Sequence, residues 1–302
     1  MKRDFLRLSD LSPKEIDRLL KRAIAFKAGK DANACPLIGK SIGLIFEKAS
    51  TRTRVSYEVG IYQLGAQSIY LTPKDIQIGR GETIHDTAKV LSRYLHAVVM
   101  RTFSHETVRE FASHASIPVI NGLSDLHHPC QALGDLMTIR EKKGRLHGIR
   151  LAYVGDGNNV ANSLIEAAAV MGIRLSIACP RGYEPPAQIL DAARAVSKHD
   201  IPILRDPEEA VSGVDAVYTD VWVSMGQEKE ALRRKQRFRK YQVNKKLLAY
   251  AKENAMVLHC LPAHRGEEIT DDIIDGTRSV VFDQAENRLH TQKALLEFLL
   301  TK

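Results

Sequence analysis

The sequence predicts two α/β domains, each a doubly wound parallel sheet flanked by helices. Three observations carry this. Short apolar runs rich in β-branched residues recur along the chain, segments with helical apolar spacing separate them, and the alternation restarts once near the middle. The 302 residues, 44% hydrophobic and 26% charged, suffice for about two domains with ample core.

In the first half, SIGLIFEK (41–48), AQSIYLT (66–72), LHAVVMRT (95–102) and IPVIN (117–121) read as buried strands. In the second half, RLAYVGD (150–156), RLSIACP (174–180), AVYTD (216–220), MVLHCL (256–261) and SVVFDQ (279–284) repeat the theme. The charged, glycine-containing EKKGRLHGIR (141–150) precedes a strong strand, so the expected domains are 1–143 and 144–287. QKALLEFLLTK (292–302) has helical spacing, and a terminal helix over 288–302 is expected to pack back on the first domain. No fixed-period repeat or low-complexity tract is present in the sequence.

The net charge of +8 fits attraction to anions without choosing among them. Aromatic content is only 6% and the cations are spread out, which argues against an aromatic-basic nucleic-acid platform. The densest basic run, EKEALRRKQRFRKYQ (228–242), reads first as a solvated helix face and second as a nucleic-acid or localisation patch. Cys35, Cys130, Cys179 and Cys260 are far apart and form no C-x-x-C pair, so neither a disulfide framework nor a structural zinc site is expected. No metal-binding histidine pair and no Ser-His-Asp pattern is evident. The basic start MKRDFLRLSD leads into no apolar signal core, and no apolar run reaches membrane-helix length. A cytoplasmic protein with no membrane or nucleic-acid partner is expected.

Ligands of open parallel sheets gather beyond the carboxyl ends of the strands. There SIGLIFEK runs into Ser50-Thr51-Arg52-Thr53-Arg54, followed by a helical pattern. A Ser50 or Thr51 cap, the free N–H groups of a first helical turn, three hydroxyls and Arg52 would converge on one anion, for which phosphate is apt. Arg101 closes the next apolar strand. In HHPCQALGD, His128, Pro129 and Gln131 at a helix start would aim a ring N–H and an amide into the same crevice. YVGDGNNVANS looks like a dinucleotide loop, but position 160 is Val where G-x-G-x-x-G needs glycine, and no ribose-binding acid follows. A nicotinamide site is therefore disfavoured, and Asn159 is open to an amino acid. Asp220 leaves a strand ahead of Ser224-Met225-Gly226 and suits a substrate ammonium group. In HCLPAHRGEE, Cys260 reads as a nucleophile or, more commonly, a buried thiol.

FEKASTRTR, RGETIHDTAKVLSRY, MRTF, HPCQALGD, GDGNNVANS, DVWVSMG, HCLPAHRGEEI and AENRLHTQKALL occur in one order. On these eight motifs, almost end to end, the chain resembles the aspartate/ornithine carbamoyltransferase family, its ornithine branch in particular. The resemblance implies transfer of a carbamoyl group from carbamoyl phosphate to the δ-amine of L-ornithine, giving L-citrulline and phosphate, as in arginine biosynthesis. N-acetylornithine or putrescine is the alternative acceptor. It implies an active site in the interdomain cleft, no cofactor, no metal and a homotrimer or multiple of trimers.

For carbamoyl phosphate the resemblance implies Ser50, Thr51, Arg52, Thr53, Arg101, His128, Pro129, Cys130, Gln131 and Arg288, with Cys260 and Leu261. Gln77 is implied to reach a neighbouring subunit's site. Asn159, Asp220, Ser224 and Met225 match the ornithine positions, and Arg101, His128, Cys260 and Asp220 the catalytic ones. HPCQ and HCLP stand where aspartate enzymes carry HPTQ and HPLPR. Tyr57 and His96 depart from the commonest pattern, at positions that touch no ligand.

Overall fold

In a computed structural model, residues 2–30, 34–73, 81–223 and 228–301 are described. The chain divides into two compact units, Met1–Met137 with Glu286–Lys302, and Thr138–Ala285. The division falls inside a helix, Pro129–Lys143.

The first unit holds a four-stranded sheet built from β1 (Ser41–Phe46), β2 (Gln67–Leu71), β3 (Ala97–Arg101) and β4 (Val119–Leu123), in the order β2-β1-β3-β4. All its pairings are parallel. β1 and β3 are central and carry almost continuous apolar runs, as strands covered on both faces must. At Gly43 in β1 a Cβ would lie 2.7 Å from Leu95 Cδ1, a side-chain tip that would have to turn aside. Helix Thr51–Gln63 follows β1, and its Ser50 cap accepts the Thr53 N–H at 3.3 Å.

The second unit holds β5 (Arg150–Val154), β6 (Arg174–Ala178), β7 (Ile203–Leu204), β8 (Ala216–Thr219) and β9 (Met256–His259), in the order β7-β6-β5-β8-β9 and again all parallel. Helix Asn159–Met171 follows β5, opening at an Asn158 cap and closing on Gly172, whose φ of 68° is the left-handed conformation glycine favours. Trp222 stacks on Phe238 at 6.0 Å, and Tyr241, Val243 and Ile269 extend that core.

Two elements differ from the expected ones. SVVFDQ (279–284) is not a strand: Ser279 makes one isolated bridge to Val257, and a helix runs over Val281–Leu300, well ahead of position 288. Residues 290–296 of this helix are buried without a break, and a stripe at the 3.6-residue period takes in Val281, Gln284, Arg288, Thr291 and Leu295. Three of those five are polar, so a search for apolar spacing finds only the last turns. β7 was not anticipated; two residues at a sheet edge leave too short a pattern to read. Among the described residues no helix is long and apolar enough to cross a membrane.

Gly157, just after β5, has the backbone N of Pro185 only 2.2 Å from where a Cβ would sit. Backbone cannot yield as a side-chain tip can. Gly157→Ala is expected to destabilise the protein by about 1–3 kcal/mol, read as a fall in the urea midpoint at unchanged slope.

Candidate functional site

Parallel register determines where the polar residues go. In the first unit Phe46 of β1 pairs with Arg101 of β3, and Arg101 with Leu123 of β4. The segments leaving these three neighbouring strands therefore start side by side. They are Ser50–Thr53, Arg101 itself, and the loop to His128–Gln131. The strand order reverses between β1 and β3, the kind of switch point beyond which open parallel sheets bind ligands.

Arg288 joins this cluster from helix Val281–Leu300, its Nη2 donating to Thr53 Oγ1 at 2.6 Å. Gly134 permits the approach, since a Cβ there would lie 3.1 Å from Arg288 Cγ. Arg101, Thr53, His128, Gln131 and Arg288 are all buried. Burial, reinforced by the Arg288 and Arg101 charges, holds the His128 imidazole well below 6.5, so at neutral pH it is an uncharged ring. Gln131 Nε2 donates to Asp135 Oδ1 at 2.8 Å, which leaves its buried Oε1 without a hydrogen-bond partner among the described residues. A buried oxygen of that kind suits a ligand N–H.

Cys130 is buried in helix Pro129–Lys143. Its Sγ meets the Tyr57 hydroxyl at 3.1 Å and the Asn121 carbonyl at 3.3 Å, and burial pushes its thiol up to about 11. Pro129 is the first residue of that helix. Thr51 is exposed and Arg52 half-buried on the first turn of Thr51–Gln63. The neighbouring cations serve other ends: Arg54 pairs with Glu58 at 2.9 Å and lies over the Tyr70 ring, and Lys48 lies over Phe103.

The second unit has its own switch point, between β5 and β8. Asp156 follows β5 and pairs with Arg234 Nη1 at 2.8 Å, both side chains nearly sequestered; that guanidinium also donates to the Trp222 carbonyl. Burial raises the Asp156 carboxyl to about 6 even though Arg234 opposes the shift. Asp220 follows β8. Its Oδ2 accepts from Asn158 Nδ2 at 2.7 Å, and its Oδ1 from the Cys260 thiol at 2.8 Å and from Val221 N at 2.8 Å. Cys260 follows β9. Leu261 has φ of 56°, and its N–H donates to His259 Nδ1 at 2.9 Å; the other ring nitrogen meets Glu268 Oε1 at 3.1 Å.

The first unit thus gathers Ser50–Thr53, Arg101, His128–Gln131 and Arg288, and the second gathers Asp220 with Cys260. Asn159 is half-buried in the first helical turn, one residue past the side chain that touches Asp220. Gln77, Ser224 and Met225 lie outside the described residues. Sequence reasoning does not single out Asn158. Asn before a helical run was the available signal, since Asn is a strong cap. It also missed the Asp156–Arg234 pair, which joins residues far apart in the chain.

Asp220, His259 and Cys260 place three ligand-type atoms within 4.8 Å, as do His264, Glu267 and Glu268. In the first set each residue is engaged in the hydrogen bonds above, and in the second Glu268 Oε1 also accepts the His264 N–H at 2.6 Å.

Comparison with known proteins gives concordant results. Residues 3–141 match the family model described as aspartate/ornithine carbamoyltransferase, carbamoyl-P binding domain, and residues 147–299 match the Asp/Orn binding domain of the same family. An ornithine carbamoyltransferase of Syntrophus aciditrophicus is 53% identical, over 99% of this chain and all of that one. One from Anoxybacillus flavithermus is 54% identical, over 99% and 96%. The solved ornithine carbamoyltransferase of Pyrococcus furiosus has a TM-score of 0.95 at 51% identity, covering 99% of this chain and 97% of that one. That of Thermus thermophilus has 0.91 at 44%, with both chains fully covered.

The Asp156–Arg234 pair sets a pH test. The folded carboxyl titrates near 6, above its ordinary 3.8, so the stability it contributes is full below about 4 and lost as pH rises through 6. Without Arg234 that carboxyl would be buried and uncompensated when ionised. Arg234→Leu is expected to cost about 3–5 kcal/mol at pH 7.5 and distinctly less at pH 5, where Asp156 takes up a proton. Urea titrations at the two pH values measure the difference.

Proposed function

The chain belongs to the aspartate/ornithine carbamoyltransferase family, and from that premise we propose that it transfers the carbamoyl group of carbamoyl phosphate to the δ-amine of L-ornithine, giving L-citrulline and phosphate. Such a transferase would serve arginine biosynthesis in the cytoplasm. The observation that carries the reading is the meeting of Ser50–Thr53, Arg101, His128, Gln131 and Arg288 at the carboxyl ends of adjacent strands. Those groups are complementary to a small molecule that is anionic at one end and an amide at the other.

In this reading the free N–H groups of the first turn after Ser50, with Thr51, Arg52, Thr53 and Arg288, hold the phosphate. Arg101 and the His128 ring donate to the carbonyl oxygen, and the Thr53 hydroxyl adds to them. Gln131 Oε1 accepts from the carbamoyl NH2. Pro129 and Cys130 shape the wall beside it, and the Leu261 backbone adds a contact. Asp220 binds the α-ammonium of ornithine, with Asn159, Ser224 and Met225 around the same amino acid. The amine nitrogen attacks the carbonyl carbon, a C–N bond forms, and the C–O bond to phosphate breaks. The amine proton leaves to the departing phosphate. No covalent enzyme intermediate is needed, because carbamoyl phosphate is already activated. Holding the reactants in attack geometry is worth up to about 7–11 kcal/mol.

We extend the proposal to a homotrimer, with Gln77 serving a neighbouring site. Val55, Val59 and Tyr62 support it, standing exposed at helical spacing on Thr51–Gln63 where a partner would cover them. Sedimentation equilibrium is expected to give three times the chain mass of 33.7 kDa, or a multiple of that trimer; a monomer would refute this part.

The central test offers ornithine, N-acetylornithine, putrescine and aspartate in parallel with carbamoyl phosphate. Citrulline from ornithine is expected, and its absence refutes the assignment. Arg101→Ala, which removes a donor to the developing oxyanion, is expected to lower kcat by about 10²–10³ with the fold retained by circular dichroism. Because His128 is uncharged throughout the neutral range, kcat/KM should show no break near 6.5 from that ring. It should rise instead toward the δ-ammonium of ornithine, near the lysine reference of about 10.4.

A further inference from the structure

We propose that Asn158 is the positioning residue for the acceptor amino acid. Its side-chain amide sets the rotamer of Asp220 and so decides which carboxylate edge meets the substrate ammonium group. The inference rests on the functional reading of Asp220 given above and adds to it a residue outside the matched ornithine positions.

The amide has only one workable orientation. Three donors point at Asn158 Oδ1: the Tyr153 hydroxyl at 3.2 Å, Val160 N at 3.0 Å and Ala161 N at 3.1 Å. Oxygen must therefore stand there, and the NH2 must face Asp220 Oδ2, 2.7 Å away. Both ends of the side chain are then fixed. One end is anchored to the start of helix Asn159–Met171 and to a tyrosine in β5; the other holds the carboxylate.

A carboxylate oxygen has about two acceptor positions. Oδ1 of Asp220 has both taken, by the Cys260 thiol and by Val221 N. Oδ2 has one taken, by Asn158, and its second remains for an ammonium N–H. A rotation of Asp220 would exchange these roles and release the Cys260 thiol. Asn158 opposes that rotation with a charge-assisted bond, the strong kind. Asp220 is only 5% exposed, so little water is at hand to replace the donor.

Capping and positioning separate cleanly by substitution. Serine caps a helix about as well as asparagine but is too short to reach Asp220. In Asn158→Ser the melting temperature is expected to hold, the KM for L-ornithine to rise about tenfold, as for a lost hydrogen bond to a charged group, and the KM for carbamoyl phosphate to stay unchanged. Asn158→Asp also keeps a cap but sets a second carboxylate against Asp220, and a larger rise in the ornithine KM is expected.

The second readout does not depend on any acceptor. Alkylation of Cys260 by iodoacetamide, followed by peptide mass mapping with Cys35 as the exposed reference, is expected to quicken at least threefold in Asn158→Ser as Asp220 lets go of the thiol. Alkylation at the wild-type rate overturns the proposal, as does an equal rise in KM for both substrates. If the wild-type protein makes no citrulline, the functional reading falls, and the alkylation measurement still judges Asn158.

Discussion

Parallel strand pairing is the constraint on which everything else depends. In each sheet every strand delivers its carboxyl end to the same edge, and hydrogen-bond register decides which ends are neighbours. Phe46 beside Arg101, and Arg101 beside Leu123, bring three separate chain segments to one stretch of the sheet edge. In the second sheet Thr219 pairs with Val154 on one side and His259 on the other, which brings Asp156, Asp220 and Cys260 to adjacent ends. The chemistry is local to each sheet edge, and the sheet assembles it.

Burial then tunes what the edge presents. Burial, with the Arg288 and Arg101 charges, keeps the His128 ring uncharged, so it does not switch near neutrality. Burial holds Cys130 as a thiol, although the Tyr57 hydroxyl and the Arg288 charge oppose the shift, and its Sγ donates to the Asn121 carbonyl. Cys260 differs in having a carboxylate acceptor, Asp220, at 2.8 Å. Cysteines of one sequence thus sit in distinct hydrogen-bonding environments, set by neighbours rather than by residue type.

Much of this was legible in the sequence. Strands β1, β3, β5, β6, β8 and β9 announced themselves because buried parallel strands are continuous apolar runs. The Ser50 cap was legible because capping is local. SVVFDQ misled for the converse reason: β-branched residues favour a strand only where a partner edge is available. Here pairing stops at Ser279, and the helix that follows buries Gln284, Arg288 and Thr291 on the face where apolar residues were sought. Arg288 was legible only through its motif, since nothing near it in sequence points to Thr53.

By itself the sequence determined the α/β class, the site motifs and the residue types they offer, because period, capping and short motifs are properties of consecutive residues. Only tertiary structure decided which of those residues meet. It placed Arg288 against Thr53, gave the Asp220 carboxylate to Asn158 and Cys260, and shut Asp156 in with Arg234. Those pairs are separated by up to 235 positions, and their distances follow from sheet register and helix packing, which no local pattern encodes.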